Sequence, residues 1–215
     1  MFETSPSVFG HLDEARAKTL FKEIQRRPYP KNSFIINTGD NSDCFYLILS
    51  GKVKIALPDE AGKEVILSIL GPGDHFGEFS LIDGQPRSAS VVTMEDSTLL
   101  IVGRDRFREC LAENPDIAER VMVSLTQRLR AADRKIEGLA LHDVYSRLAR
   151  TLSELATEQD GKRVLPQRFT HQDLANMIGA SREMITRILR DLAAGGYISI
   201  ENREITLLKK LPSAW

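Results

Sequence analysis

Between Ser33 and about Gly103 the apolar residues come in short runs, some continuous and some alternating with polar residues, and each run stops at a turn former. The runs are Phe34 to Asn37, Cys44 to Leu49, Val53 to Leu57, Val65 to Leu70, Ala89 to Thr93 and Thr98 to Val102. Gly39-Asp40, Ser50-Gly51, Ala61-Gly62, Gly71-Pro72-Gly73 and Asp83-Gly84 separate them. Strands this short and evenly spaced predict an antiparallel roll or barrel rather than a parallel sheet. A helix over Leu12 to Gln25 precedes them and is expected to pack as a lid.

After Asn114-Pro115 the period changes. Ala118, Met122, Leu125, Leu129, Ala132, Ile136 and Leu139 recur at alternating spacings of four and three, a heptad seam that predicts two parallel helices in a homodimer. About three heptads also suit a single amphipathic helix packed on its own barrel, and both readings stay open here. From Leu141 a helix is expected to about Thr157, then a loop from Glu158 to Lys162, two short helices and a β-hairpin. Thr170 and Asp173 have the spacing of an N-cap and its N3 acid. Gly179-Ala180-Ser181 supplies a turn, Ser181 caps a helix from Arg182 to Ala194, and Gly195-Gly196 ends it. Tyr197 to Ile200 and Glu204 to Leu208 then form a wing. Helix, glycine-containing turn, helix is the helix-turn-helix arrangement. The expected fold class is α+β: an N-terminal antiparallel β-roll over 1–113, a long dimerisation helix over 114–138, and a C-terminal winged helix-turn-helix over 139–215. Gly138 marks the expected hinge between the last two.

At 215 residues, 42% hydrophobic and 27% charged, the chain is long and apolar enough to bury a proper core. No basic stretch followed by an apolar one opens it, and no run approaches the roughly 18 apolar residues of a membrane span, so a cytoplasmic protein with no membrane partner is expected. Cys44 and Cys110 read as buried free thiols, since two cysteines this far apart make neither a disulfide framework nor a four-thiolate cluster. His11, His75, His142 and His171 lack metal-ligand spacing, and Asp40, Asp43, Asp74 and Asp83 are turn formers first. No serine or cysteine sits in a local nucleophile motif. No metal, catalytic residue or covalently bound cofactor is therefore expected. A formal net charge of -1 argues against a nucleic-acid binder for the chain as a whole. Distribution changes that picture: Lys162 to Arg190 carries six basic residues against two acidic ones, the footprint of a DNA-binding module at one end.

Two stretches carry candidate chemistry. In Gly77-Glu78-Phe79-Ser80-Leu81, followed by Arg87-Ser88-Ala89, the glycine lets backbone approach a ligand. Glu78 is an acceptor-only group suited to a sugar hydroxyl, Arg87 offers a charge-assisted fork to a phosphate, and Ser88 adds donors. In Ser181-Arg182-Glu183-Met184-Ile185-Thr186-Arg187, helical spacing puts Arg182, Glu183 and Arg187 on an exposed face while Ile185, Ile188 and Leu189 turn inward. Arginine can fork onto guanine and glutamate can accept from the cytosine amine, so this face suits G·C pairs in a major groove. Gln172 and the Thr170 cap are placed to bond phosphates without reading sequence.

These stretches resemble the cyclic AMP receptor protein branch of the CRP/FNR transcription regulators, and the resemblance runs over essentially the whole chain. It implies a cyclic-nucleotide-binding roll with a phosphate-binding cassette at Gly77, Glu78, Phe79, Ser80, Arg87 and Ser88, and a ligand-gated regulator rather than an enzyme. It implies cyclic AMP as the effector, half-sites of the GTGA type in a pseudo-palindrome of double-stranded DNA, and RNA polymerase as a further partner. A regulator that needs no nucleotide, one tuned to cyclic GMP or a cyclic dinucleotide, and an enzyme's regulatory subunit built on the same roll are the alternatives; the helix-turn-helix argues against the last. The family's paired threonine and serine on the dimer helix, which bond the adenine amine, align with Ala132 and Asp133, and its partner of the ribose-binding glutamate aligns with Arg128. Asp133 departs from that pattern. An ionised carboxylate there accepts from adenine or from guanine's edge, or it pairs with Arg128 of a second copy in an interhelical bridge.

Overall fold

The computed structural model describes residues 14–21, 23–59 and 63–212. In chain order the first elements are α1 (Glu14–Leu20), β1 (Gln25–Tyr29), β2 (Phe34–Ile36), β3 (Cys44–Ser50), β4 (Val53–Pro58), β5 (Glu64–Leu70) and β6 (His75–Phe76). Then come α2 (Glu78–Asp83), β7 (Ser90–Thr93), β8 (Ser97–Gly103), α3 (Arg104–Glu113) and α4 (Pro115–Leu141). The last are α5 (Val144–Leu155), β9 (Thr157–Gln159), β10 (Lys162–Val164), α6 (His171–Ile178), α7 (Arg182–Ala194), β11 (Ile198–Glu201) and β12 (Glu204–Leu207). The chain forms two compact units; the N-terminal one ends at Arg130, and the C-terminal one begins at Ala131 and also includes Lys63–Ile66 at the start of β5.

The N-terminal unit is built on two sheets, ordered β1-β8-β3-β6 and β2-β7-β4-β5. The first is antiparallel throughout, and β7 pairs antiparallel with both β2 and β4 in the second. β3 explains how the layers are joined. Its alternate residues Tyr46 and Ile48 pack with Ile36, Val53, Phe76, Val91 and Leu99 in a core drawn from both sheets. Phe45 and Leu47, on its other face, pack with Ala17 and Phe21, Leu81, Phe107 and Cys110, and Ile117 and Val121 of the surrounding helical segments. A strand buried on both faces loses its polar alternation, which is why Cys44 to Leu49 reads as a continuous apolar run.

Three expectations about elements need correction. The helix expected over Leu12 to Gln25 ends at Leu20, and Leu12 and Asp13 lie outside the described residues. Gln25 instead opens β1, which pairs with β8 at the edge of its sheet, where Pro28 has no inward donor to lose. The separator Ala61-Gly62 and His11 also lie outside the described residues. The helix expected from Leu141 to Thr157 is two helices: α4 runs to Leu141, and α5 restarts after Asp143, whose side chain accepts from the Ser146 N–H at 2.7 Å. The expected loop from Glu158 to Lys162 is a hairpin, β9 to β10, turned by Asp160 and Gly161 with φ of 50° and 72°. Asp-Gly is the pair that takes this left-handed turn most readily.

α4 carries two stripes. Ile117, Val121 and Ser124 are buried, whereas Met122, Leu129, Ile136 and Leu139 are exposed, at 56–65% of their surface. Most of the heptad seam is thus a face that this chain leaves uncovered; Leu125 alone of its large residues packs against the core of the roll, beside the buried stripe. In the C-terminal unit α5, α6 and α7 pack around Leu148, Leu152, Leu174, Ile178, Ile185 and Leu189. β10 joins β11 and β12 in a sheet ordered β11-β12-β10-β9. Among the described residues, no helix is long and apolar enough to cross a membrane.

Candidate ligand cassette and DNA-contacting face

The cassette is organised by Gly77. It sits at φ 89°, and a Cβ there would lie 2.8 Å from both the Arg87 guanidinium and the Cys44 carbonyl, so only glycine fits without moving backbone. That closeness lets Arg87 Nη1 donate to the Gly77 carbonyl at 2.7 Å, while Nη2 donates to Ser42 Oγ at 2.9 Å and to the Cys44 carbonyl. Arg87 is 4% exposed, and its Nε has no partner among the described residues. Burial draws its guanidinium's pKa down, opposed by Tyr46, Cys44 and Glu78 nearby.

Glu78 follows directly and is 1% exposed. Arg128 of α4 donates to its Oε1 at 2.7 Å and to the His75 carbonyl at 2.6 Å. Glu78 Oε2 is buried with no partner among the described residues. Burial pushes this carboxyl's pKa up; Arg128 pulls it back down. Gly77, Glu78, Ser80, Arg87 and Arg128 are therefore brought together, Ser80 being buried with its hydroxyl toward the Gly77 and Ser42 carbonyls at 3.4 and 3.5 Å. Phe79 and Ser88 are exposed. Ala132 and Asp133 are exposed on α4 beyond Arg128, and Arg128's ion pair within this chain is with Glu78.

Two residues that sequence reasoning missed belong to the same helix face. Ser124 Oγ is buried and Gln127 Oε1 is buried, and neither has a partner among the described residues. Both lie within one turn of Arg128. A serine and a glutamine in the run of apolar positions from Ile117 to Leu129 were the available signal. Ser42 and the Cys44 carbonyl were also missed, since a loop serine and a backbone oxygen leave no pattern. Of the two thiols, Cys110 is buried, with burial raising its pKa to about 11, whereas Cys44 is only half-buried, because it opens β3 at the cassette's edge.

The second face is open. Thr170 and Asp173 form a full capping box: Thr170 Oγ1 accepts from the Asp173 N–H at 3.0 Å, and Asp173 Oδ2 accepts from the Thr170 N–H at 2.8 Å. Gly179, at φ 66°, ends α6, and Arg147 donates Nε to the Ile178 carbonyl at 3.0 Å, satisfying one of the helix's terminal acceptors. Ser181 Oγ accepts from the Met184 N–H at 3.2 Å and starts α7. His171, which lacks metal-ligand spacing, bonds Thr186 Oγ1 through Nδ1 at 2.8 Å and so ties α6 to α7. Ile185, Ile188 and Leu189 are buried, and Arg182, Glu183 and Arg187 are exposed. Among the described residues Arg182 and Glu183 engage no side-chain partner; Arg187 reaches Met184 Sδ at 2.9 Å. Gln172 is exposed, but its amide donates inward to Asn176 Oδ1 at 2.7 Å. No group of three potential metal ligands forms among the described residues.

The family comparisons divide the chain in the same two places. The profile of the cyclic nucleotide-binding domain matches residues 26–114, and that of the Crp-like helix-turn-helix domain matches residues 146–211. A CRP-like cAMP-activated global transcriptional regulator of Mycobacterium tuberculosis is 32% identical over 204 residues, covering 93% of this chain and 91% of that protein. The Cyclic AMP receptor protein of Thermus thermophilus is 35% identical over 209 residues, covering 95% of each. Among solved structures, the c-di-GMP responsive global regulator CLP of Xanthomonas campestris superposes with a TM-score of 0.79 at 29% identity, over 92% of this chain and all of that one. The chain belongs to the cyclic AMP receptor protein branch of the CRP/FNR family, and it is a DNA-binding transcription regulator rather than an enzyme.

Proposed function

We propose that this protein is a homodimeric, cytoplasmic regulator that grips pseudo-palindromic DNA of the GTGA half-site type when a cyclic nucleotide, cyclic AMP first, occupies the cassette. The observation that carries the ligand half is the set of buried polar atoms around Gly77 that have no partner among the described residues, Glu78 Oε2 and Arg87 Nε among them. A buried polar atom without a partner is costly, and a ribose hydroxyl donating to Glu78 with a cyclic phosphate accepting from Arg87 would satisfy both. Ser88 and the backbone from Phe79 to Ser80 would add donors to the phosphate. Cyclic AMP is favoured because curated relatives covering nearly the whole chain are cyclic AMP receptors by name.

The DNA half rests on Arg182, Glu183 and Arg187, which the caps at Ser181 and Thr170 hold on one exposed face. The dimer rests on the exposed seam of α4, whose apolar side chains are too many to leave in water. Two-fold pairing would space two recognition helices by about 34 Å, one turn of DNA. The domain roles follow: sensing over 1–113, dimerisation over 114–138, DNA binding over 139–215, with RNA polymerase as the further partner that the family implies. Asp133, exposed just over a turn beyond Arg128, would read the base from the partner's side of the seam.

The deciding experiment is calorimetric titration of the full chain with cyclic AMP, cyclic GMP and cyclic di-GMP, repeated on Arg87→Leu and Asp133→Ser. Arg87→Leu should abolish nucleotide binding in a folded protein, and Asp133→Ser should sharpen the preference for cyclic AMP over cyclic GMP. Operator DNA should tighten nucleotide binding by the factor with which nucleotide tightens DNA binding. Undiminished affinity in folded Arg87→Leu would refute the cassette assignment.

A further inference from the structure

The C-terminal unit includes a strand segment from far earlier in the chain, Lys63–Ile66 at the start of β5. Among the bonds that hold it, one comes from α4 and one from α6. Lys135 of α4, itself half-buried, donates Nζ to the Ile66 carbonyl at 2.9 Å. Asn176 of α6, 5% exposed, donates Nδ2 to Glu64 Oε1 at 3.0 Å. The other end of the Asn176 amide accepts from Gln172 Nε2 at 2.7 Å. A carboxylate can only accept, so Glu64 fixes the polarity of this relay. Asn176 must turn its NH2 to Glu64 and its oxygen to Gln172, and Gln172 must then spend an N–H inside the protein.

Gln172 is a residue assigned to DNA phosphate, and phosphate oxygens take only donors. We propose that Glu64, acting through Asn176, is a brake on DNA binding that holds the Gln172 amide away from the DNA backbone until β5 shifts. The inference rests on Gln172 being a phosphate contact, and not on which ligand the roll binds. β5 is suited to release the brake because Glu64–Ile66 belong to the C-terminal unit while the rest of the same strand, to Leu70, belongs to the N-terminal unit that carries the cassette. A relay serving only to position Gln172 would need no partner on that strand; a switch does. The two roles differ in sign: a brake weakens DNA binding while it is engaged, and a positioning group strengthens it.

The test is fluorescence anisotropy of ligand-free full-length protein on a duplex carrying two GTGA half-sites, with Glu64→Ala, Glu64→Gln, Gln172→Ala and the Glu64→Ala/Gln172→Ala double variant. Glu64→Ala should bind DNA about tenfold tighter than wild type, and Glu64→Gln, which keeps an acceptor but loses the charge, should gain less. In the Glu64→Ala protein, where the brake is released, adding Gln172→Ala should weaken binding, and in the Gln172→Ala background Glu64→Ala should change nothing, because the brake acts on that side chain. Weaker binding by Glu64→Ala, or the same gain with and without Gln172, would overturn the brake. If adding Gln172→Ala to Glu64→Ala leaves DNA affinity unchanged, the phosphate contact itself is wrong and the brake falls with it, which the comparison of the double variant with Glu64→Ala reports separately. Far-ultraviolet circular dichroism and melting midpoints of each variant show that the comparison is between folded proteins.

Discussion

The cassette and the recognition helix both combine arginine with glutamate, and they hold these charges in opposite ways. Glu78 and Arg87 are almost wholly buried, and Glu78 is paired with Arg128 at 2.7 Å. Arg182 and Glu183 stand in solvent on α7, each kept in place by the helix that carries it and, among the described residues, by no side-chain partner. A buried charge costs several kcal/mol to desolvate, so its partner is part of the fold; an exposed one costs little, so its identity is free to serve the ligand. Substitutions in the first region should therefore move stability, and those in the second should move recognition while stability stays put.

The largest expected effect breaks the buried pair. Arg128→Leu removes the cation and leaves Glu78 unpaired in the roll, together with a His75 carbonyl that loses its donor. The cost should be about 3–5 kcal/mol in denaturant unfolding at neutral pH. Arg128→Leu combined with Glu78→Gln should recover part of that loss, because the stranded charge is gone. If Arg128→Leu costs no more than a surface substitution, the pair is not a buried element of the fold.

On the open face the expected change is smaller and of another kind. Arg182→Ala and Glu183→Ala should each relax preference at one G·C position by about 1–3 kcal/mol, measured on half-site variants. Unfolding free energy should stay within about 0.5 kcal/mol of wild type. An Arg182→Ala protein that binds every half-site variant with the wild-type preferences would remove Arg182 from the base-reading set.

The same contrast decides what the sequence makes legible. The recognition helix is written locally: Thr170, Asp173, Gly179 and Ser181 cap and turn it, and the spacing of Ile185, Ile188 and Leu189 fixes which face is wet. The seam of α4 is legible for the same reason, though its second, buried stripe at Ile117, Val121 and Ser124 is not, because packing on the roll depends on contacts far apart in sequence. Gly77 and Arg87 can be named from their motif, but the bonds that fix Arg87 run to Ser42 and to the Cys44 carbonyl, 45 and 43 residues away, and only the folded chain brings them together. β1 has four exposed residues in five and gives no apolar signal at all; its pairing with β8 defines it. The Glu64 to Asn176 bond, across 112 residues, has no local trace whatever.

The smallest expected effect near neutrality concerns pH, and it arises in the buried region. His75 is fully buried, its ring 5.5 Å from that of Phe45, and burial together with Arg128 holds its pKa well below the ordinary histidine range of about 6.5. The unfolded chain therefore binds a proton near pH 6.5 that the folded one refuses. Stability from this group is fully present above that pH and is lost progressively as pH falls below it toward the folded-state value. Glu78 has the opposite sign: its folded pKa is raised by burial, so the folded state takes up its proton first as pH falls toward the ordinary carboxyl range, and acid there relieves a burial cost. Below about pH 6.5 the His75 contribution should pull the denaturation midpoint of the wild type down with acid, against the opposite pull of Glu78. His75→Asn should flatten that decline whatever offset it brings at neutral pH, since the comparison is between slopes. An acid slope in His75→Asn as steep as in the wild type would place the titrating group elsewhere and take the pH response out of the cassette.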